Sequence, residues 1–247
     1  MAPKDTFRRY ELKYLLDTEQ AARIKQHIER YMDVDQYGFT TIRNIYFDTA
    51  SYRLIRHSIE KPVYKEKLRL RSYCQATPDS DIFVELKKKY QSVVYKRRLV
   101  CPYREAIDWL SGKRKPEKDT QIAREIDYAL QFYGQLHPVV FLSYEREAYY
   151  ATDGSDLRVT CDDTILVRQK ELSLEAPPYG TPILPEGKVL MEIKCSGGIP
   201  LWMTQVLSKE KIYKTSFSKY GTAYQTLIFP QTHATNSYHM LEVATNA

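Results

Sequence analysis

The sequence predicts an α+β fold in which eight antiparallel strands form a barrel and helices pack outside it. Three observations support this prediction. Eight segments are rich in the valine, isoleucine, tyrosine, phenylalanine and threonine that favour strands. Short turn-forming sequences separate several of these segments, which favours hairpins and therefore antiparallel pairing. Segments with the 3.6-residue periodicity of helices interrupt the strands.

The predicted strands are long for an ordinary sheet. Thr77-Pro78-Asp79-Ser80 divides the third strand from the fourth, and Thr152-Asp153-Gly154-Ser155 divides the sixth from the seventh. Both sequences consist of residues typical of hairpin loops. We predict strands at residues 7–15, 40–48, 63–73, 82–90, 93–100, 138–149, 156–162 and 187–195.

The predicted helices begin at residues that commonly start helices, and two of them end at a glycine. They run from Asp17 or Thr18 to about Met32, from Pro102 to just before Gly112, from Asp119 to Gly134, and over residues 200–212 and 216–228. A proline-containing loop is predicted at residues 168–186. We expect one domain over residues 1–229, followed by a polar and poorly ordered tail over residues 230–247.

The composition narrows the classes of function. A net charge of +6 favours anionic partners such as nucleotides, polyphosphate, nucleic acid or a membrane surface, without choosing among them. No apolar stretch approaches 18 residues, and the N-terminus lacks the apolar core of a signal peptide. The four cysteines are scattered and form no CxxC pair, which argues against a zinc site and a disulfide scaffold. We therefore expect a cytoplasmic protein.

Charged residues alternate with apolar ones in several strands. In the third strand, Lys67, Arg69 and Arg71 fall on one side, whereas Leu68 and Leu70 fall on the other. Several strands of this kind suggest one surface that binds a polyanion. The same alternation recurs at residues 84–87, 157–162 and 191–194.

The alternation alone leaves two orientations of the strands open. A charged outer face in water is the common arrangement for a small barrel. However, the helices need apolar strand surface to pack on, and this would turn the charged face inward. Burying so many like charges would cost several kcal/mol per ion. Such a lumen is therefore expected to be wet and filled by anions, and phosphate chains suit guanidinium and ammonium groups well.

A series of motifs carries a resemblance to a known family. The motifs are FRRYELKY at 7–14, IYFD at 45–48, KLRLR at 67–71, FVELK at 83–87, YER at 144–146, LRVTCD at 157–162, MEIK at 191–194 and FSKY at 217–220. Each is weak alone, but their order and spacing are specific. The chain resembles the VTC domain, the polyphosphate polymerase domain of the triphosphate tunnel metalloenzyme superfamily, from about Phe7 to Gln225.

The resemblance implies an eight-stranded tunnel with a basic lumen, a C-terminal helix at its mouth, and transfer of the γ-phosphate of ATP onto a polyphosphate chain. It implies catalytic roles for Lys13, Arg69, Arg71, Lys87, Arg146, Arg158 and Lys219. It implies phosphate binding by Lys67, Lys96, Arg98, Tyr144, Lys194 and Ser218. It implies a divalent ion, Mn²⁺ or Mg²⁺, held by Glu192, with Glu11 and Glu85 as further candidates that could instead pair with neighbouring lysines.

One departure from related enzymes bears on the reaction. Related triphosphatases and adenylate cyclases begin with an ExExK pattern, and Arg9 replaces the first glutamate here. Fewer carboxylates remain for a second metal, which counts against two-metal hydrolysis. The alternatives are a metal-dependent triphosphatase or polyphosphatase and a non-catalytic polyphosphate sensor. Nucleic acid is not an expected partner, since no aromatic-basic stacking motif is present. ATP and polyphosphate are expected partners. The resemblance leaves open a separate membrane protein with which this chain associates.

Overall fold

One antiparallel sheet dominates the computed structural model, which describes residues 10–91 and 93–231. Eight of its strands are long and two have only two residues each. The strands are β1 (Tyr10–Asp17), β2 (Met32–Asp48), β3 (Tyr64–Ser72), β4 (Asp81–Tyr90), β5 (Val93–Pro102), β6 (His137–Ala151), β7 (Arg158–Arg168), β8 (Thr181–Pro182), β9 (Lys188–Cys195) and β10 (Lys214–Thr215).

Six α-helices connect or follow these strands. They are α1 (Thr18–Ile28), α2 (Arg53–Ile59), α3 (Tyr103–Leu110), α4 (Gln121–Tyr133), α5 (Leu201–Lys209) and α6 (Lys219–Ala223), and a π-helical turn (Tyr224–Ile228) continues α6. Asp17 caps α1 through a reciprocal capping box with Gln20. Among the described residues, no helix is long and apolar enough to cross a bilayer.

The predicted α+β class and the long antiparallel strands are confirmed, but several boundaries were wrong. Helix α1 ends at Ile28, and Met32 instead begins β2, where it pairs with Ala151 of β6. Strand β7 continues past residue 162 to Arg168, and Gly112 and Gly134 end α3 and α4 nearly as expected. Residues 7–9 of the first predicted strand lie outside the described residues.

The sequence did not reveal helix α2. Asp48 stands at the end of β2, and its carboxylate accepts hydrogen bonds from the backbone N–H groups of Leu54 (2.9 Å) and Ile55 (3.0 Å). The predicted 168–186 loop contains β8, and the last helix begins at Lys219 rather than at residue 216. Of the predicted 230–247 tail, residues 230 and 231 continue the C-terminal helical segment, and the remainder lies outside the described residues.

The strand order is β10-β1-β9-β7-β6-β2-β3-β4-β5, with β8 on β7, and every pairing is antiparallel. The hydrogen-bonded order runs between the edges β10 and β5. The sheet curls strongly. Five strands separate β1 from β4 in this order, yet the side chains of Glu11 on β1 and Lys87 on β4 lie 3.2 Å apart. The result is a barrel-like sheet with a concave inner face.

The outer face of the sheet is apolar and carries most of the helices. Leu68 and Leu70 of β3 are completely buried against a cluster that includes Trp109 of α3 and Ile126 of α4. A second cluster joins α1 and α5 to the outer face of β1, β7 and β9. Each such buried leucine or isoleucine contributes about 1.5–3 kcal/mol. The charged side of these strands therefore faces inward, which decides between the two orientations that the alternation left open.

The inner face has an apolar part as well. Tyr220, Ala223 and Ile228 of the C-terminal helical segment pack there against Tyr46 and Tyr144. The hydroxyl of Tyr220 also donates to Asp48 (2.9 Å), the residue that caps α2. The C-terminal segment is thus fixed against one part of the inner face, and the charged side chains occupy the rest.

Candidate functional site: a cationic inner face

A single carboxylate on the inner face gathers four cations from three neighbouring strands. Arg69, Glu85 and Arg98 lie directly across from one another on β3, β4 and β5. Glu85 accepts from Arg69 Nε (2.8 Å) and Arg98 Nε (2.8 Å), and it also contacts Lys96 Nζ (2.6 Å) and Arg71 Nε (3.8 Å). We call these five residues the Glu85 cluster.

The electrostatics of the Glu85 cluster follow from this crowding. Burial alone would raise the pKa of Glu85, but Arg69, Arg71, Lys96 and Arg98 outweigh it and hold that pKa far below its ordinary value. Burial, together with Arg71 and Arg98, lowers the pKa of Lys96 to about 7 in spite of Glu85. One negative charge therefore stabilises an excess of positive charge at this wall.

Neutral groups position the two arginines of β3. Arg69 Nη1 donates to the hydroxyl of Tyr46 (2.9 Å). Arg71 Nε donates to Asn44 Oδ1 (3.0 Å), and its Nη2 donates to the hydroxyl of Tyr144 (3.1 Å). These bonds hold the guanidinium planes without neutralising them, so the charges remain available to an anion.

A second group of charges lies on β1, β6, β7, β9 and α6. Glu192 contacts Lys194 (3.0 Å), Lys13 (3.2 Å) and Lys219 (3.4 Å). Asp162 binds Arg146 through two hydrogen bonds of 2.6 and 2.7 Å and accepts from Lys219 Nζ at 2.5 Å. We call this group the Glu192 cluster; it comprises Lys13, Arg146, Asp162, Glu192, Lys194 and Lys219.

The pKa shifts in the Glu192 cluster reflect close pairing. Burial would raise the pKa values of Glu192 and Asp162, yet Lys219 and the other cations lower both, and the pKa of Glu192 lies well below its ordinary value. Burial would lower the pKa of Lys219, and Asp162 and Glu192 raise it instead. The ammonium of Lys219 also lies 4.5 Å above the ring of Tyr144. Lys219 is therefore held as a cation although it is nearly buried.

Contacts between the clusters involve Glu11, Lys67 and Ser218. Glu11 lies 3.1 Å from Lys13 and 3.2 Å from Lys87. Lys67 Nζ donates to Ser218 Oγ (3.0 Å), and that same oxygen caps α6 by accepting from the Gly221 backbone (3.1 Å). Burial and the neighbouring cations Lys87, Lys65, Lys13 and Arg69 lower the pKa of Lys67 to about 7.

The inner face carries a large excess of positive charge. Ten lysine and arginine side chains of the described residues line it around four carboxylates, so basic groups outnumber acidic groups by six. Lys67 and Lys96, with pKa values of about 7, are only partly protonated near neutral pH. The cations are Lys13, Lys67, Arg69, Arg71, Lys87, Lys96, Arg98, Arg146, Lys194 and Lys219, and the carboxylates are Glu11, Glu85, Asp162 and Glu192. A concave face of this kind concentrates anions and suits a chain of phosphates.

The comparison with known families agrees with this geometry. The model of the VTC domain family matches residues 8–228, which is nearly the whole chain. The chain belongs to the VTC domain family.

One curated relative and one solved structure are similar to this VTC domain. The Schizosaccharomyces pombe protein "Vacuolar transporter chaperone complex subunit 2" is 24% identical over an alignment of 201 residues, which covers 69% of this chain and 27% of that protein. The chain thus spans about a quarter of that relative. A "putative adenylate cyclase" from Bacillus halodurans has a crystal structure that covers 87% of this chain and 95% of its own, with 16% identity and a TM-score of 0.54. At that identity the likeness concerns the fold.

The carboxylates of this VTC domain suit a divalent ion unequally. Both oxygens of Glu85 are engaged by arginine or lysine at 2.5–2.8 Å, so Glu85 has the environment of a counter-ion. Among the described residues, no three His, Cys, Asp or Glu side chains come together as a metal site. Mg²⁺ is commonly held by one or two carboxylates together with substrate phosphates. Glu192 fits that pattern better than Glu85, because its contacts with Lys194, Lys13 and Lys219 are longer, at 3.0–3.4 Å. Both oxygens of Asp162 are held by Arg146 and Lys219 at 2.5–2.7 Å, so Asp162, like Glu85, has the environment of a counter-ion.

The structure brings most of the predicted site residues of the VTC domain together on the inner face. Arg158 is the exception. It begins β7 opposite Lys194, but its side chain is exposed and makes no hydrogen bond or ion pair within the described part of the chain. Arg158 therefore lies at the rim of the charged surface and not inside either cluster.

Sequence reasoning missed Asp162, Tyr46 and Asn44. Asp162 has the same strand parity as Thr160 and Arg158, so alternation placed it on the inner face, but nothing local marked it as the partner of Lys219, 57 residues away. Tyr46 and Asn44 alternate with Ile45 and Phe47 in the same way. Their roles depend on arginines of the neighbouring strand, which only the register reveals.

Proposed function

We propose that this VTC domain is a metal-dependent polyphosphate polymerase that transfers the γ-phosphate of ATP onto a growing polyphosphate chain. The observation that carries the proposal is that basic side chains outnumber carboxylates by six on one concave face. A polyphosphate chain and a triphosphate are both rows of anionic groups, so one row of cations can bind them end to end.

The proposed reaction needs no protein nucleophile. An oxygen of the terminal phosphate of the chain attacks the γ-phosphorus of ATP in line. The new P–O bond lengthens the chain by one phosphate, the bond between the γ-phosphorus and the β–γ bridging oxygen breaks, and ADP leaves with that oxygen. In this proposal Arg69, Arg71, Arg146 and Lys219 stabilise the charge on the transferred group, and the remaining cations align the two substrates.

The state of the carboxylates favours transfer over hydrolysis. Hydrolysis benefits from a general base that activates water, and such a base works best with a pKa near the working pH. The pKa values of Glu11, Glu85, Asp162 and Glu192 are all held low by adjacent cations. A terminal phosphate already carries an anionic oxygen and does not require such a base.

Glu192 is the residue proposed to hold Mn²⁺ or Mg²⁺, with Asp162 beside it and Glu11 as a further candidate. When bound, the ion would neutralise phosphate oxygens and favour in-line geometry. Lys13, Lys194 and Lys219 hold the carboxylate of Glu192 in position from three sides. Glu85 stays a predicted metal group only by family resemblance, and its contacts favour a role as the counter-ion of four cations.

The curated relative is named as a subunit of a vacuolar transporter chaperone complex. We propose that this chain also works with other proteins, including a membrane protein that receives the polymer. Association with such a partner would place this VTC domain at a membrane surface. Co-purification of the tagged chain from its own cells, followed by identification of bound membrane proteins, tests this part of the proposal.

An assay on the purified protein tests the proposed activity. The protein is incubated with ATP and Mn²⁺ or Mg²⁺, and the products are separated by size and by anion exchange. We expect polyphosphate longer than the starting primer and the release of one ADP for each phosphate added. Release of free phosphate alone would instead support a triphosphatase or polyphosphatase. Tight binding of ATP or polyphosphate without turnover would support a sensor.

A further inference from the structure

Three aromatic side chains extend the Glu85 cluster towards solvent. Tyr37 stacks on Tyr73, with ring centroids 6.1 Å apart and planes inclined by 22°. Tyr73 packs edge-on against Phe83 at 5.5 Å. We call Tyr37, Tyr73 and Phe83 the aromatic platform. They come from β2, the residue just after β3, and β4, so three neighbouring strands bring them together.

Arg98 joins the aromatic platform to the phosphate-binding cations. Its guanidinium carbon lies 4.1 Å from the centroid of Phe83, and Nη2 lies 3.4 Å from the hydroxyl of Tyr73. The same guanidinium binds Glu85. Tyr73 also follows Arg71 by two residues, about 7 Å along an extended chain. A ligand that touches Arg71 and Arg98 through phosphate can therefore reach the platform with its next few atoms.

The aromatic platform lies where the cationic face is most open. Among the cations of the Glu192 cluster, side-chain exposure runs from 9% at Lys219 to 25% at Lys194. In the Glu85 cluster, exposure rises from 7% at Arg71 to 33% at Arg98 and 40% at Lys96. Tyr37 at the end of this series is 62% exposed although one of its faces is stacked on Tyr73. A free aromatic face thus stands beside the accessible cations.

We propose that the aromatic platform binds the base of the nucleoside triphosphate, with the base stacked on Tyr37 and the phosphates directed over Arg98 and Arg71. This inference rests on the proposed function, because it assigns a place to the nucleoside of the same substrate. Stacking on tyrosine accepts any base, since every base offers a π-face. The platform therefore distinguishes a nucleoside triphosphate from inorganic tripolyphosphate, and it discriminates little between ATP and GTP.

Binding measurements with two probes test the inference. Isothermal titration calorimetry in Mg²⁺ compares the non-hydrolysable adenosine 5′-(β,γ-imido)triphosphate with inorganic tripolyphosphate. Tyr37→Ala should weaken binding of the nucleotide about five- to tenfold, the lower end of what loss of one base stack produces, and leave tripolyphosphate binding unchanged. Tyr37→Phe keeps the ring and should bind both probes like the wild type.

The chain offers a closely matched control in Tyr128. It is 65% exposed and stacks on Phe132 with centroids 6.1 Å apart and planes inclined by 21°, but it lies on α4, outside the sheet. Tyr128→Ala should leave binding of both probes unchanged. Thermal unfolding of each variant checks that the fold is retained.

Two results would overturn the inference. One is that Tyr37→Ala binds the nucleotide as tightly as the wild type does, and the other is that it loses affinity for both probes equally. Either result rules out base stacking on the aromatic platform. If the wild-type protein bound neither probe, the proposed function itself would fail, and the inference would fail with it. Binding of tripolyphosphate with no effect of Tyr37→Ala on the nucleotide would refute the inference alone.

Discussion

The two charged clusters of the inner face are built on opposite plans. In the Glu85 cluster, four cations share one carboxylate, and the outer members are accessible to solvent. In the Glu192 cluster, four cations share two carboxylates, and α6 closes over them through Lys219. The first cluster thus has the larger local excess of positive charge, and the second is buried and more nearly balanced.

This difference assigns different tasks to the two clusters. A site with excess accessible charge attracts and holds an incoming anion, because its cations are only partly neutralised. In a buried site whose charges are nearly balanced, the charged groups are already fixed in position. Little free energy is then needed to reorganise them when the substrate binds. We therefore interpret the Glu85 cluster as the main substrate-binding wall and the Glu192 cluster as the preorganised part that aligns the reacting groups.

The largest effect is expected from removing the two guanidinium groups of the Glu85 cluster. The double substitution of Arg69 and Arg71 with alanine should lower polymer synthesis at least about 10³-fold, since each loses a charged donor to phosphate. Lys96 and Arg98 still neutralise Glu85, so the fold should persist in circular dichroism. Arg124→Ala is the control, because Arg124 is exposed and pairs only with Asp119. Full activity in the double variant would contradict the assignment.

A second prediction concerns the stability that Glu85 provides. Glu85→Gln leaves four cations without their shared counter-ion and should lower the free energy of unfolding by about 3–5 kcal/mol. Added tripolyphosphate should restore much of this loss, because its charge replaces that of the carboxylate. Glu117→Gln, at an exposed site, should change stability little. A thermal unfolding series with and without tripolyphosphate measures both effects, and an unchanged melting temperature for Glu85→Gln would count against the cluster.

The contribution of Glu85 to the free energy of unfolding decreases as the pH falls. The folded-state pKa of Glu85 lies below the unfolded value, so its contribution is complete above about pH 4.5 and is lost as the pH falls further. Wild-type protein should therefore lose stability between about pH 5 and pH 3 more steeply than Glu85→Gln does.

In the Glu192 cluster, we expect polymer synthesis to depend on Lys219. Lys219→Ala removes the cation that Asp162 and Glu192 share, and synthesis should fall about 10²-fold with a smaller change in the KM for ATP. Lys211→Ala, which changes an exposed lysine in the turn after α5, serves as the control. Steady-state kinetics separates kcat from KM. A pure increase in KM would show that Lys219 acts only in binding.

The smallest effect is expected from Lys67. Its pKa of about 7 means that it gains charge as the pH falls from 8 to 6, which should strengthen binding of tripolyphosphate about two- to fivefold relative to Lys67→Arg, whose charge is constant. Calorimetry of both proteins at several pH values measures the difference.

The lowered pKa of Lys67 also affects the stability of the folded protein. Between about pH 7 and pH 10 the unfolded state binds a proton at Lys67 that the folded state does not, so the free energy of unfolding rises with pH over this range. Identical pH profiles for the two proteins would contradict this account.

The contacts within the Glu85 cluster can be predicted from the sequence better than those within the Glu192 cluster. Arg69, Arg71, Glu85 and Arg98 lie in consecutive hairpin strands, so alternation and turn chemistry determine which side chains face one another. Asp162 and Lys219 are far apart in the chain, and the path of the C-terminal segment determines their contact. Helix α2 escaped prediction similarly, because its cap, Asp48, belongs to the preceding strand and not to the helix itself.

Arg158 shows what alternation along a strand does not reveal. Its position in the alternation directs it to the inner face. However, it is the first residue of β7, at the end of the strand, and its side chain is exposed to solvent. Alternation gives the direction of a side chain and not its depth along the strand. Family resemblance implied a catalytic role for Arg158, and the structure favours a role at the rim, where Arg158→Ala should weaken binding less than the loss of Arg69.

A crystal structure of the protein with inorganic tripolyphosphate and Mn²⁺ tests the central claim most directly. We expect three consecutive phosphates on the inner face, in contact with Arg69 and Arg71 at one end and with Lys219 at the other, and the metal at Glu192. Phosphates bound only on the outer surface, with the ion pairs of Glu85 and Glu192 unchanged, would contradict it.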